Sequence, residues 1–247
     1  MTNAERAKLP GLRGDRAGSI AGGALIVQAV MQALGARGLI ISGQGLRQGL
    51  LLEAGGRGLP DPRAVRSASI DALARRFRRW DPRRAERRAR LADGLVRALD
   101  PRSPEDVREM LGHAARVLDV GQSVDHYRRD EHCAAILRET DLSGFSHRGV
   151  AVLTAIVDFA EDEELAIEKY EPLLEESDRG HLERAGVILT LADEIERRLP
   201  LDREQQVHCV IRRDSVMIPL VTRGAWAPTR LVTAFRRAFG RTLLARS

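Results

Sequence analysis

The stretch Leu111–Leu137, LGHAARVLDVGQSVDHYRRDEHCAAIL, decides how this chain folds. Together with the residues just before it, Val107, Met110, Leu111, Ala114, Val117 and Leu118 recur at helical spacing and make one apolar stripe. Gly121 breaks that helix. A turn rich in Asp and His, holding His126 and His132, then leads into a second apolar helix, and the unit runs on to about Val157. Two helices joined by a charged, glycine-broken turn predict a mainly α-helical core.

Working outward, the 247 residues suit one large domain or two smaller ones. Hydrophobic residues make up 43% but aromatics only 4%, so the core must be aliphatic. The net charge is +5, and lysine occurs only at Lys8 and Lys169, so arginine supplies nearly all of the positive charge. Arginine favours planar, bidentate contacts to phosphate or carboxylate, although a high-GC coding bias gives the same composition. Cys133 and Cys209 are too few and too distant for a disulfide framework or a zinc site. No apolar run reaches eighteen residues and no signal peptide stands at the start, so the expectation is a soluble, cytoplasmic protein without a membrane partner.

Three parts follow from the patterning. In residues 1–56, Asp15 is the expected N-cap of a helix carrying Ile20, Ala24, Val27, Met31 and Leu34 and closed by Gly35. A short strand is expected at Leu39–Ile41 and a second helix at Leu46–Glu53. A single strand cannot stand alone, so this part reads as a piece of an α/β layer. Gly22-Gly23 reads as close helix packing or as a nucleotide approach. Residues 54–64 are rich in Gly and Pro and mark a boundary.

From there to Pro200 the chain reads as helical. Asp81-Pro82 opens one helix, Ser103-Pro104 a second and Ser146 a third, and Leu182 to Leu199 lines the last. Beyond Pro200 the period becomes two. Val207–Ile211 and Val216–Leu220 read as strands around an Arg213-Asp214 turn, with Pro219 placing the second at an edge. A helix over Thr229–Phe239 and a third strand near Thr242–Ala245 complete a small α+β tail, 201–247.

The order helix, Leu118-Asp119, glycine, His126, His132 resembles the HD metal-phosphohydrolase fold in the variant of the Ppx/GppA family. That family contains exopolyphosphatases and guanosine pentaphosphate phosphohydrolases. Leu9–Glu53 is similar to the closing stretch of the family's actin-like catalytic module, and DLSGF at Asp141–Phe145 is close to the family's DLPGF. The resemblance implies the end of an actin-like lobe over 1–56, a degenerate HD-like helical domain over 57–200 and a C-terminal α+β domain. It also implies a reaction, metal-assisted attack of water on a terminal phosphoanhydride, with Mg2+ in complete members. The glycine-rich phosphate loops and the catalytic glutamate of the family precede the matched stretch. The expectation is therefore a truncated gene or one part of a split protein, inactive alone, with a separate N-terminal catalytic half and a homodimer as candidate partners.

The HD resemblance also assigns positions. It puts Arg84 where a first histidine is expected, Leu118-Asp119 in place of His-Asp, and Asp193 in LTLADEIERRL at the final aspartate. Leucine cannot bind a cation and arginine repels one. The expectation is thus no metal, no cofactor and no catalytic residue in this chain, with Asp119 and Asp193 facing each other and paired with Arg84. A site rebuilt on His126 or His132 is the alternative, though six residues is not the spacing of a ligand pair on one helix. The span Arg63–Arg102 is the most charged feature. Arg75, Arg79, Arg83 and Arg87 are the candidate polyanion contacts, for polyphosphate or guanosine pentaphosphate, against the plainer reading of a solvated face. Three functions stay open: a phosphohydrolase C-terminal portion, a non-catalytic polyanion-binding or regulatory module, and a stand-alone HD hydrolase.

Overall fold

The computed structural model describes residues 1–9, 11–39, 41, 45–55, 60–162, 167–199, 208–219 and 227–244, which fall into two compact units, Met1–Leu59 and Pro60–Ser247. In the first unit, α1 (Asn3–Arg6) is a single turn closed by a capping box between Thr2 and Glu5. Asp15 does not cap the next helix. It sits in a 3-10 turn, Gly14–Arg16, and α2 (Ile20–Leu34) begins after Ser19. Gly35 ends α2 in the left-handed region at φ 62°, where a side chain would be strained. The expected strand at Leu39–Ile41 includes Ile40, which lies outside the described residues, and Leu39 and Ile41 are exposed and not in a strand. α3 (Leu46–Ala54) follows. None of α2 is buried, although Leu25, Ile26, Val30 and Leu34 are large and apolar.

The second unit begins with one device used twice. Asp61 accepts a hydrogen bond from the Ala64 N–H and Pro62 opens α4 (Pro62–Ala74); Asp81 accepts from the Arg83 N–H and Pro82 opens α5 (Pro82–Leu99). In both, the aspartate satisfies a free donor and proline, whose N–H would be unused anyway, sets φ for the first turn. α6 (Glu105–Val117) carries Glu105 and Asp106 at its positive end. It passes directly into a 3-10 segment, Leu118–Ser123, and the chain then re-enters helix as α7 (Arg129–Glu139). Ser146 Oγ accepts from the Gly149 N–H at the start of α8 (His147–Asp162), and α9 (Arg179–Arg198) is the longest helix. Residues 163–166, which include Glu163 and Glu164, and Pro200 lie outside the described residues.

α5, α6, α8 and α9 pack on one another around an aliphatic core that includes Leu95, Leu111, Leu118, Ile156 and Ile188, and α7 closes over the 3-10 segment and α8. The tail shares that core. Val216, Ile218, Leu231 and Phe235 are buried in it, and α10 (Thr229–Phe239) lies on α9. The stretch set apart at 201–247 is thus part of the same compact unit as the helices. Its strands β1 (Val210–Ile211), β2 (Ser215–Met217) and β3 (Thr242–Leu244) form one sheet in the order β1-β2-β3. β1 and β2 run antiparallel about the Arg213-Asp214 turn, while β2 and β3 run parallel through the α10 crossover. β2 is therefore the middle strand and not an edge. Pro219 stands two residues past its end, where a missing N–H removes no ladder bond. Among the described residues no helix is long and apolar enough to cross a membrane.

Gly121 is the pivot of the stretch quoted first. A Cβ there would lie 1.8 Å from the Arg129 carbonyl oxygen and 2.8 Å from the Cys133 nitrogen, both backbone atoms of α7. Only glycine lets α7 lie against the end of α6. Gly121→Ala is expected to lower stability by about 3 kcal/mol. Gly94→Ala is the control: it lies inside α5 with nothing within 4 Å of its would-be Cβ, and should be neutral or stabilising by about 0.5–1 kcal/mol. Urea unfolding of the two variants checks this, and equal stability would mean that the two segments do not meet as described.

Candidate functional site

α5, the 3-10 segment after α6, α7 and α9 each bring one charged side chain to a single buried point. Arg88 Nη1 donates to Asp193 Oδ1 at 2.6 Å and its Nη2 to Asp119 Oδ2 at 2.7 Å. Arg129 Nη1 donates to Asp119 Oδ1 at 2.7 Å and its Nη2 donates to Asp193 Oδ2. Two guanidinium groups and two carboxylates thus close a ring in which every carboxylate oxygen has a charged donor. All four side chains are buried, and Arg88 is wholly so. The remaining Nε–H of Arg88 donates to the Ala115 carbonyl at 2.7 Å, Gln122 adds a donor to Asp119, and Arg197 lies 3.1 Å from Asp193.

Local sequence explains the convergence. Arg88 sits between Ala85, Ala89 and Ala92 on the inward stripe of α5, and the small alanines leave room for a long side chain to cross to α9. Asp193 and Glu196 lie three apart on α9 and receive what α5 presents at matching spacing. Glu196, also buried, takes Arg84 Nη2 at 2.8 Å and a second guanidinium from Arg87. Arg129 comes from the first turn of α7, which Gly121 allows to approach.

Burial alone would raise the aspartate pKa values, but the guanidinium groups outweigh it. Asp119 is held below the usual carboxylate range by the charge and hydrogen bond of Arg88 and by Arg129. Asp193 is held further down by Arg129, Arg88 and Arg197. Arg129 is raised, because its carboxylates overcome the cost of burial. Asp130 goes the other way, pushed up by burial that the nearby Arg129 only partly offsets.

The positions assigned from the sequence fall as follows. Asp119 and Asp193 meet, but the arginines between them are Arg88 and Arg129. Arg84, expected to pair with them, is one helical turn away on Glu196. Leu118 is buried among apolar residues. His126 is exposed against Tyr127 and His132 is half-buried, and among the described residues neither is hydrogen-bonded to Asp119 or Asp193. Arg75, Arg79 and Arg83 are exposed at the α4–α5 turn, and Arg79 reaches the Gln122 carbonyl. Arg87 is not on that surface, because Glu196 holds it in the interior. Both cysteines are free; burial pushes Cys209 up to about 11 and Cys133 higher, so neither offers a thiolate near neutral pH.

Residues 65–232 match the family described as Ppx/GppA phosphatase, domain III, and residues 1–57 match the Ppx/GppA phosphatase family. The chain belongs to the Ppx/GppA phosphatase family. Within this Ppx/GppA domain III, a divalent cation does not fit where the HD resemblance would put one. All four oxygens of Asp119 and Asp193 already accept from guanidinium groups, and a cation would have to displace two buried arginines that themselves would then lack partners. No group of three or more His, Cys, Asp or Glu gathers for a metal among the described residues.

The ring makes two testable statements. Arg88→Met leaves Asp119 and Asp193 sharing Arg129, with Arg197 on Asp193 alone, and should cost about 3–5 kcal/mol, whereas Arg88→Met with Asp193→Leu removes one charge of each sign and should cost less than the single change. Urea unfolding midpoints decide, and a double variant weaker than the single would break the claim. Stability should also fall as pH drops below the ordinary aspartate value of about 3.9. The depressed Asp119 and Asp193 stabilise the fold above their unfolded values and lose that contribution as they protonate. Asp130, shifted upward, acts in the opposite sense and is the smaller influence. Thermal melts from pH 7 to pH 3 test the sign.

Proposed function

We propose that this chain works as the C-terminal portion of a Ppx/GppA-type phosphohydrolase that holds polyphosphate and does not hydrolyse it by itself. The observation that carries this reading is the run of exposed arginines across the α4–α5 turn, Arg75, Arg76, Arg78, Arg79 and Arg83. Close positive charges on a short surface attract a polyanion by releasing its counterions, and need no catalytic cleft to do so. Guanosine pentaphosphate offers the same phosphate chemistry on a shorter chain and is the second candidate ligand.

The buried ring supports the non-catalytic half of the reading. It occupies the HD position with saturated carboxylates, so it holds neither a free base nor a place for an activated water. The groups that hydrolyse a phosphoanhydride would come from the remainder of an actin-like lobe. The exposed apolar side chains of α2 suit that partner, since Leu25, Ile26, Val30 and Leu34 gain most from being covered. A regulatory module that binds polyanions without serving any hydrolase is the rival from another class, and it shares the arginine surface but not the need for α2.

Filter binding with long-chain polyphosphate should show affinity that falls steeply between about 50 and 200 mM salt, by about tenfold for every two phosphates neutralised. Reversing Arg75, Arg79 and Arg83 to Glu should abolish binding and leave the helical circular dichroism intact. Arg87→Glu should instead disturb folding, because Arg87 is internal. Phosphate release by the pure chain at about 1 per second or more would defeat the non-catalytic reading. Binding that ignores salt would defeat the polyanion reading.

A further inference from the structure

β1 is an outer strand of the three-stranded sheet, and the pairing on its inner side decides what its outer side offers. The Arg212 N–H donates to the Ser215 carbonyl at 2.8 Å, and Val210 lies opposite Met217. Bonded and non-bonded pairs alternate along an antiparallel ladder. Ile211, opposite Val216, therefore turns its own N–H and C=O away from β2. Among the described residues neither group has a hydrogen-bond partner on that outer side. The side chains continue the same edge. Ile211 lies on the sheet face of Val216, which is buried in the core, yet Ile211 is 43% exposed. Cys209, two residues back on the same face, is half-buried. The core thus ends in an apolar ledge beside free backbone groups, which is the template for an added strand.

Charge selects which strand. Nine arginines and only three acidic residues fall within 201–247, whereas residues 1–200 balance to within one charge. Arg212 and Arg213 stand exposed at the end of β1, and among the described residues neither is in an ion pair. Arg241 joins them through its Nε, which donates to the Arg213 carbonyl at 3.4 Å, and Asp214 is the one acidic residue of the turn. A second copy does not suit this edge, because two tails of like charge would be brought together. A nucleic acid would answer the arginines but leave the free N–H and C=O of Ile211 and the apolar ledge unused. We propose that β1 docks an extended acidic segment of a partner protein as a fourth strand. Its backbone bonds Ile211, an apolar side chain covers the ledge, and its carboxylates meet Arg212 and Arg213. The surface is separate from the arginines of the α4–α5 turn and goes beyond the polyphosphate reading.

The test is fluorescence anisotropy of the full chain with a labelled synthetic peptide of alternating valine and threonine, with glutamates at both ends. It should bind saturably, one per chain, and the same peptide with lysines at its ends should bind about tenfold more weakly or worse. Only one of the peptide's two alternating sets of amides can face β1. N-methylating that set should weaken binding by about tenfold or more, and N-methylating the other should not. Ile211→Pro removes the outward N–H and no ladder bond, so it should abolish binding and leave the circular dichroism intact. If that variant fails to fold, the two methylated peptides still decide. Arg212→Glu with Arg213→Glu should reverse the preference toward the lysine peptide, and Arg79→Glu should leave peptide binding unchanged. Absence of saturable binding, equal effects of the two methylation patterns, or binding that a folded Ile211→Pro retains would overturn the proposal. So would a single-stranded oligothymidylate that displaces the peptide and binds the folded Ile211→Pro variant as well as the original chain. None of these results touches the polyphosphate reading.

Discussion

A carboxylate pair buried at the junction of four chain segments cannot exist without positive charge between its members. Two bare carboxylates at that depth would repel each other and would each lose their hydration, so one or both would take up a proton instead. Here Arg88 and Arg129 supply the charge, and their planar forks match the two oxygens of each aspartate. Everything else in the second unit accommodates that ring. Alanines on α5 clear the path for Arg88, Gly121 lets α7 bring Arg129 close, and α9 offers Asp193 and then Glu196 along one face. Such a ring adds little net stability over apolar packing, but it ties the helices in one arrangement, because any slip along an axis strands a buried charge.

A metal ion and a guanidinium pair are two answers to the same electrostatic demand. The difference lies in what each leaves available. A cation held by carboxylates keeps coordination positions open and polarises what enters them. The two guanidinium groups here fill all four carboxylate oxygens, so none of those oxygens is left to hold a cation or accept a proton from a substrate. In the second unit the ring is therefore a cross-link among helices, with its carboxylate oxygens already taken.

Much of this was legible in the residues. The apolar stripes of α5, α6, α8 and α9, the Asp81-Pro82 start and the Gly35 stop appear in the structure where periodicity and capping put them. The meeting of Asp119 with Asp193 followed from the family resemblance, not from spacing. What was missed was the identity of the arginines. Arg88 stands three residues after Ala85 and four before Ala92, squarely on the inward stripe, so its burial was readable from the pattern that buried those alanines. Counting it and Arg87 with a run of surface arginines hid that signal. Arg129 carried no such mark, because its burial depends on the fold-back at Gly121, a tertiary event. β2 was placed at an edge on the strength of Pro219, and the strand simply ends before that residue.

The same helix thus holds arginines that do opposite things, and this changes how the composition should be read. Arg83 faces water, while Arg84, Arg87 and Arg88 are spent internally on Glu196, Asp119 and Asp193. An internal guanidinium matched by a carboxylate contributes almost no field at the surface. A polyanion meets only the exposed groups, so the net charge of +5 says little about where it lands. The local excess lies at the α4–α5 turn, where five arginines stand exposed within nine residues and Asp81 is the one acidic residue among them. An arginine-rich helix becomes a binding surface only over the part of its circumference that the core has not already claimed.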